Sequence, residues 1–280
     1  MIGDYKIIDF HTHTGTVENF APWVIDFFTN ANAFYKENFL HTIAAADVRK
    51  HFESEGVDGA VTLAEYNYVS SGVIPNEFLS EFCKGQEDYF TPMASIDFHS
   101  PVAFYRQAQN AVENLGMRGF KLLPSYSHFY PNDPRLFPVY KYAQDANLPV
   151  MFHTGSSIFR GTLIKYADPL LLDEVAEAFP KLKLLLEHGG RPFWYDRVSW
   201  MLMRHKNVYV GCAGIPAKHL AAHFAKQLET YSDRFIFGSD WPGIKGVRFL
   251  AEKIINLPIS EEVKAKIFYY NAMAVLGKTV

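Results

Sequence analysis

Two cysteines in 280 residues are too few to organise this chain. Cys83 and Cys212 form neither a CxxC pair nor a disulfide framework, which argues against a stapled secreted scaffold and a thiolate zinc ribbon. We read them as reduced thiols of a cytoplasmic protein. No apolar run approaches the roughly 18 residues of a membrane span. Met1 leads almost directly into an apolar run, without the basic, apolar and small-residue segments of a secretory signal. Basic runs are absent too, and a net charge of −3 with a pI near 6.4 gives no general attraction to nucleic acid or acidic membranes. Neither is expected as a partner. With no repeat, low-complexity tract or linker, residues 1–280 are read as a single domain, and 49% hydrophobic content gives it ample core material.

What the chain does have is a series of short apolar runs. Strand-like segments fall at 6–13, 59–64, 89–97, 118–124, 149–155, 182–190, 208–214 and 235–242, with helix-compatible stretches in most intervals between them. Eight strand–helix units without a break in composition predict one closed (β/α)₈ TIM barrel, an α/β fold, in preference to a doubly wound sheet. The first connection, from Thr14 to about His41, is unusually long and rich in aromatics. Phe20, Trp23, Val24, Phe27 and Phe28 have helical spacing around Pro22. Such a helix packs on the barrel or on a second subunit, forming a homodimer, or it is a lid that excludes water from the top of the barrel. The two roles are compatible. The last helix starts at Ser260 and is expected to close the base or side of the barrel.

Several apolar runs end in polar residues able to bind a metal. Lys6 to Phe10 leads into His11-Thr12-His13, and side chains two apart on a strand leave the same face about 7 Å apart. Met151-Phe152 ends in His153, Leu185-Leu186 in Glu187-His188, and Phe237-Gly238-Ser239 in Asp240. In a parallel barrel these positions meet at the carboxyl ends of the strands, where active sites lie. We assign His11, His13 and His153 as ligands of one divalent ion, with Asp240 as a ligand or as the base beside the metal-bound water. Imidazole and carboxylate donors suit Zn²⁺, or Mn²⁺, Fe²⁺ or Co²⁺. His188 polarises a substrate carbonyl, helps bind water, or supports the ligands from behind. Asp9 and Glu187 are read as supporting or packing acids. Lys121, a lysine inside an apolar strand, is a substrate-binding cation, a carbamylated metal bridge or half of a structural ion pair. Arg160 and Arg191 are carboxylate-binding candidates, and Tyr126 and Trp241 are further substrate contacts. His128 is a loop histidine within possible reach of substrate. His219 and His223 lack the glutamate of an HExxH motif and are not read as ligands.

Ile8-Asp9-Phe10-His11-Thr12-His13, Gly119-Phe120-Lys121-Leu122, Phe152-His153-Thr154-Gly155, Glu187-His188-Gly189-Gly190 and Gly238-Ser239-Asp240-Trp241-Pro242 together resemble the amidohydrolase-related family, often called amidohydrolase 2. The resemblance extends over essentially the whole chain. It implies a metal-dependent barrel enzyme, with His11, His13, His153 and Asp240 at ligand positions and His188 at the place of the catalytic histidine. Similar proteins divide between hydrolases of amides, esters or lactones and non-oxidative decarboxylases. One ligand set serves both, so the expected activity is hydrolysis of a small carboxylate substrate, with decarboxylation as the alternative and a ligand-sensing, non-catalytic barrel as a third reading. This branch of the family is generally mononuclear, so one metal is expected, with Lys121 as an interior cation and a second ion at His153 and His188 left possible.

Overall fold

The computed structural model describes residues 2–278. Ten strands follow in chain order: β1 (Ile8–Thr12), β2 (Gly59–Leu63), β3 (Glu65–Asn67), β4 (Gly72–Ile74), β5 (Phe90–Met93), β6 (Phe120–Leu122), β7 (Pro149–His153), β8 (Lys183–Glu187), β9 (Val208–Gly211) and β10 (Phe235–Ile236). All except β3 and β4 are parallel and lie at the predicted barrel positions. One ladder runs β1-β2-β5 and another β6-β7-β8-β9-β10. A bridge between Ala94 and Phe120 joins them on one side, with the Lys121 amide donating to the Ala94 carbonyl at 2.7 Å. On the other side Thr12 pairs with Trp241, and the Phe10 amide donates to the Phe237 carbonyl at 3.0 Å. The circle of eight strands is thereby closed, as the alternating pattern predicts.

Alternation along each strand divides the core in two. Val61, Leu63, Met93, Met151, Leu185 and Ile236 form one buried cluster with Phe10, while Ala60, Phe90, Leu122, Phe152, Leu186 and Val210 belong to a second with the surrounding helices. Ala272 and Val275, from the helix Asn271–Val275, pack with the first cluster, so the end of the chain plugs the base of the barrel.

Two features of the strands go beyond simple alternation. Strict alternation would put Asp9, His11 and His13 on one face. The β1–β2 register shifts between Asp9 and Thr12, and Asp9 does not line the cavity that His11 and His13 face. The second is the antiparallel hairpin β3–β4, which follows β2 directly and was not anticipated. The long first connection folds into helices Pro22–Ala31 and Ala33–Asn38. Val24 and Phe28 are buried, and Phe27 and Phe28 meet Phe159 edge-on at 5.5 and 6.5 Å between ring centroids.

Candidate metal centre and its cavity

At the carboxyl ends of the strands lies a cavity of about 220 Å³. His11 from β1, His13 immediately after it, Glu65 from β3, Lys121 from β6, His153 from β7, and His188, Arg191 and Asp240 from the turns after β8 and β10 all line it. Phe20, Val24, Phe27, Phe28, Ile158 and Phe159 form its apolar walls and roof. The lid reading of the first connection thus describes where its helix sits, and the same helix also packs on its own barrel. His188 and Asp240 both have left-handed backbones, at φ 66° and 69°. Such conformations cost free energy in residues other than glycine and concentrate at functional sites.

Three donor atoms converge. His11 Nε2 lies 3.1 Å from His13 Nε2, and Asp240 Oδ1 lies 3.4 and 3.3 Å from those two nitrogens. Donors about 2.0–2.1 Å from a common ion and ~90–110° apart sit roughly 3.0–3.4 Å from one another. The triplet therefore has the spacing of a facial metal site. His11, Glu187 and His188 form a second convergent group, and His153 belongs to neither among the described residues. The His153 ring lies 4.6 Å from that of His188 and 4.9 Å from that of Tyr126, and its buried Nε2 has no hydrogen-bond partner. An orphaned imidazole nitrogen beside a cavity is a donor awaiting a ligand or substrate group. The residues present therefore fit a divalent ion.

Carboxylates back both His11 and His13. Glu187 Oε2 is 3.4 Å from His11 Nδ1, and Glu65 Oε1 is 3.2 Å from His13 Nδ1. Room for Glu187 comes from Gly211 on the neighbouring strand, where a Cβ would collide with both carboxylate oxygens. Glu187 has the supporting place anticipated for it. Glu65 was missed, although Leu63-Ala64-Glu65 carries the same signal, an apolar run ending in a metal-competent residue.

Electrostatics set the protonation states. Burial pushes His11 down to about 4. It also disfavours the His13 cation, but Asp240 and Glu65 outweigh it and push His13 up to about 9. Burial alone would raise Asp240, yet His11, His13 and Arg191 hold its carboxyl well below the usual range. The Arg191 guanidinium lies 3.6 Å from the second Asp240 oxygen and covers Gly214, where any side chain would displace it. His188 is held neutral by burial and by Arg191. Its Nδ1 is 2.8 Å from the Ala213 carbonyl, so the proton sits there and Nε2 keeps its lone pair.

Lys121 is fully buried, with its ammonium 3.4 Å from Met151 Sδ and no carboxylate within ion-pair distance among the described residues. Burial lowers it to about 8. Tyr126 lines the cavity beside it. Three of the sequence candidates are not among the lining residues. Arg160 stacks over Trp23, 5.9 Å from its ring, and so braces the roof from the side. Trp241 follows Asp240 but its ring is buried among Tyr35, Phe39 and Phe52, because successive side chains leave the chain in different directions. His128 Nε2 donates to the Gly161 carbonyl at 2.6 Å and does not line the cavity either. No helix of the described residues is long and apolar enough to cross a membrane.

Comparison with known proteins agrees with this geometry. Gamma-resorcylate decarboxylase of Polaromonas sp. is 23% identical over 243 residues, 70% of this chain and 73% of that protein. An uncharacterized TIM-barrel protein from Bordetella bronchiseptica superposes with a TM-score of 0.82 at 24% identity, covering 98% of this chain and 100% of the other. The 2,6-dihydroxybenzoate decarboxylase fold, solved from Rhizobium and in complex with 2,6-dihydroxybenzoate, gives a TM-score of 0.70 at 17% identity over 98% and 99% of the two chains. Residues 8–278 match the amidohydrolase family as one continuous segment. With its TIM barrel and convergent His/Asp cluster, the chain belongs to the amidohydrolase family and is an enzyme of that superfamily with a candidate metal site.

Proposed function

We propose that residues 1–280 form a single-domain, metal-dependent non-oxidative decarboxylase acting on a small aromatic carboxylate with a neighbouring hydroxyl. The observation that carries this reading is the combination in one cavity of the His11–His13–Asp240 triplet, two cations and an aromatic roof. Its volume of about 220 Å³ is below the ~300–1,000 Å³ usual for drug-sized ligands, which favours a single ring. The related decarboxylases named above act on substrates of this kind by their names, and this moves the reading from hydrolysis, the first expectation, towards its alternative.

His11, His13 and Asp240 would hold one divalent ion, with His153 as the fourth ligand or as a substrate contact. Zn²⁺ and Mn²⁺ both suit the donor set. The ion supplies a Lewis acid for a substrate oxygen. Lys121 and Arg191 bind the carboxylate, and Phe27, Phe28 and Phe159 exclude water above the ring. Asp240 begins ionised, so it is a base before it is an acid. It accepts the substrate hydroxyl proton and returns it to the ring carbon that carries the carboxylate; the C–C bond then breaks, the ring regains its electron pair and carbon dioxide leaves. Where the substrate carries a second hydroxyl, His188 Nε2 accepts its hydrogen bond and orients the ring. A hydrolase remains the second reading, because an ionised Asp240 is equally suited to take a proton from an attacking water.

Metal-reconstituted protein incubated with 2,6-dihydroxybenzoate and related hydroxybenzoates, alongside a lactone and ester panel, separates the two. Carbon dioxide release that falls at least 10³-fold in Asp240→Asn is expected. Lactone or ester hydrolysis without carbon dioxide release would overturn the decarboxylase assignment in favour of the hydrolase.

A further inference from the structure

The hairpin β3–β4 belongs to neither the barrel wall nor the helical layer, yet it touches both the roof and a ligand histidine. Glu65, at its start, is only 2% exposed. One carboxylate oxygen faces His13 Nδ1 at 3.2 Å; the other accepts from Asn67 Nδ2 at 2.5 Å and from Ser71 Oγ at 2.6 Å. A buried carboxylate held by two donors of its own hairpin has one position, and that position fixes the His13 ring with Nε2 towards His11 and Asp240.

The other end of the hairpin holds the roof. The Ala21 amide donates to the Ser71 carbonyl at 2.8 Å, the Val73 amide to the Asn19 carbonyl at 2.7 Å, and Asn19 Nδ2 to the Val73 carbonyl at 3.1 Å. Phe20 pairs with Gly72 as an isolated antiparallel bridge. Residues 19–21 thus add a third strand segment to the hairpin immediately before the roof helix Pro22–Ala31. Gly72, at φ 121°, admits this approach, because a Cβ there would enter the Asn19 carbonyl. Ser71 joins the two halves: its carbonyl holds the roof hinge and its hydroxyl holds Glu65.

We propose that Glu65 is a positioning residue that acts through His13, and that the Ser71–Glu65–His13 chain couples docking of the roof to metal affinity. The coupling is reciprocal, so an ion that draws His13 into its ligand geometry also favours the docked roof. The inference rests on metal binding at His11, His13 and Asp240.

The experiment measures Zn²⁺ and Mn²⁺ affinity by chelator competition in wild type, Glu65→Gln, Glu65→Ala, Ser71→Ala, the Glu65→Ala/Ser71→Ala double variant and His13→Ala. Apo-protein melting identifies any variant that fails to fold. Glu65→Ala is expected to weaken binding 10–100-fold. Glu65→Gln, which keeps an acceptor for His13 Nδ1–H, falls between it and wild type. Ser71→Ala weakens binding less, and adds nothing on the Glu65→Ala background. Hydrogen exchange at the Ala21 and Val73 amides is expected to slow on metal loading of wild type but not of Glu65→Ala. Unchanged affinity in folded Glu65→Gln and Glu65→Ala, with wild type binding and His13→Ala not binding, overturns the positioning role while leaving the metal site standing. Affinity that falls without metal-linked protection of the hinge amides overturns the coupling. Wild type that binds neither ion overturns the metal reading and this inference with it.

Discussion

Lys121 shows how one residue carries opposed demands. A lysine with no exposed surface, whose ammonium meets the Met151 thioether, is destabilising as a cation, and burial lowers its pKa from 10.5 to about 8 against the pull of Glu187, Asp240 and Glu65. Because the folded value lies below the unfolded one, the stabilising contribution is complete above pH 10.5 and is lost as pH falls through 8. For the metal-free protein the loss is on the order of 3 kcal/mol. Lys121→Met, which fills similar volume without charge, is therefore expected to raise denaturant stability at pH 7 by roughly 1–3 kcal/mol and to flatten its rise between pH 8 and 10.5. The same variant should raise KM for a carboxylate substrate at least tenfold. Urea titrations at pH 7, 9 and 10.5 check the first point; a pH profile identical to wild type would mean that Lys121 is paired in solution.

At the level of elements, what could be read from the sequence depended on length and periodicity. The eight barrel strands are carried by apolar runs, and the helix at 22–31 by aromatic residues three and four apart, so both were legible. β3 and β4 are three residues each, too short for alternation to register, and their function depends on pairings across the hairpin and to residues 19–21. His11, His13, His153, His188, Lys121, Arg191 and Asp240 were legible because strand ends in a barrel converge. Arg160 and Trp241 were misplaced because proximity in sequence to the site says nothing about which way a loop side chain turns. The hairpin leads to its own prediction. Gly72→Ala forces a Cβ against the Asn19 carbonyl in a backbone conformation that L residues rarely adopt, so it should detach the hinge while leaving the barrel intact. Limited proteolysis is expected to cut at least tenfold faster within residues 19–31, with melting of the barrel shifted by only a few degrees. Unchanged cleavage would show that the roof is held by Phe28 and its aromatic neighbours alone.

Across the whole molecule, the His11–His13–Asp240 triplet proposed to hold the ion spans the seam that closes the barrel. His11 lies in the first strand and His13 follows it, Asp240 lies in the turn after the last, and the Asp240 amide donates to the His11 carbonyl at 3.0 Å. Strand β10 is only two residues long, so regular pairing at this seam is sparse, and a shared ion would add a cross-link between the first and last barrel segments. An ion that binds the folded chain alone stabilises it by RT ln(1 + [L]/Kd), about 2.7 kcal/mol at a hundred times Kd. For a chain of this size that corresponds to roughly 4–6 °C in Tm. Chelator-treated protein should therefore melt about 4–6 °C below the metal-loaded form at that ion concentration, and the difference should vanish in His13→Ala. Hydrogen exchange locates the effect: protection gained on loading should be greatest at the Phe10, His13 and Asp240 amides, which bond across the seam. Equal protection gained all round the barrel would instead mean that the ion stabilises the fold globally, without a special role in its closure.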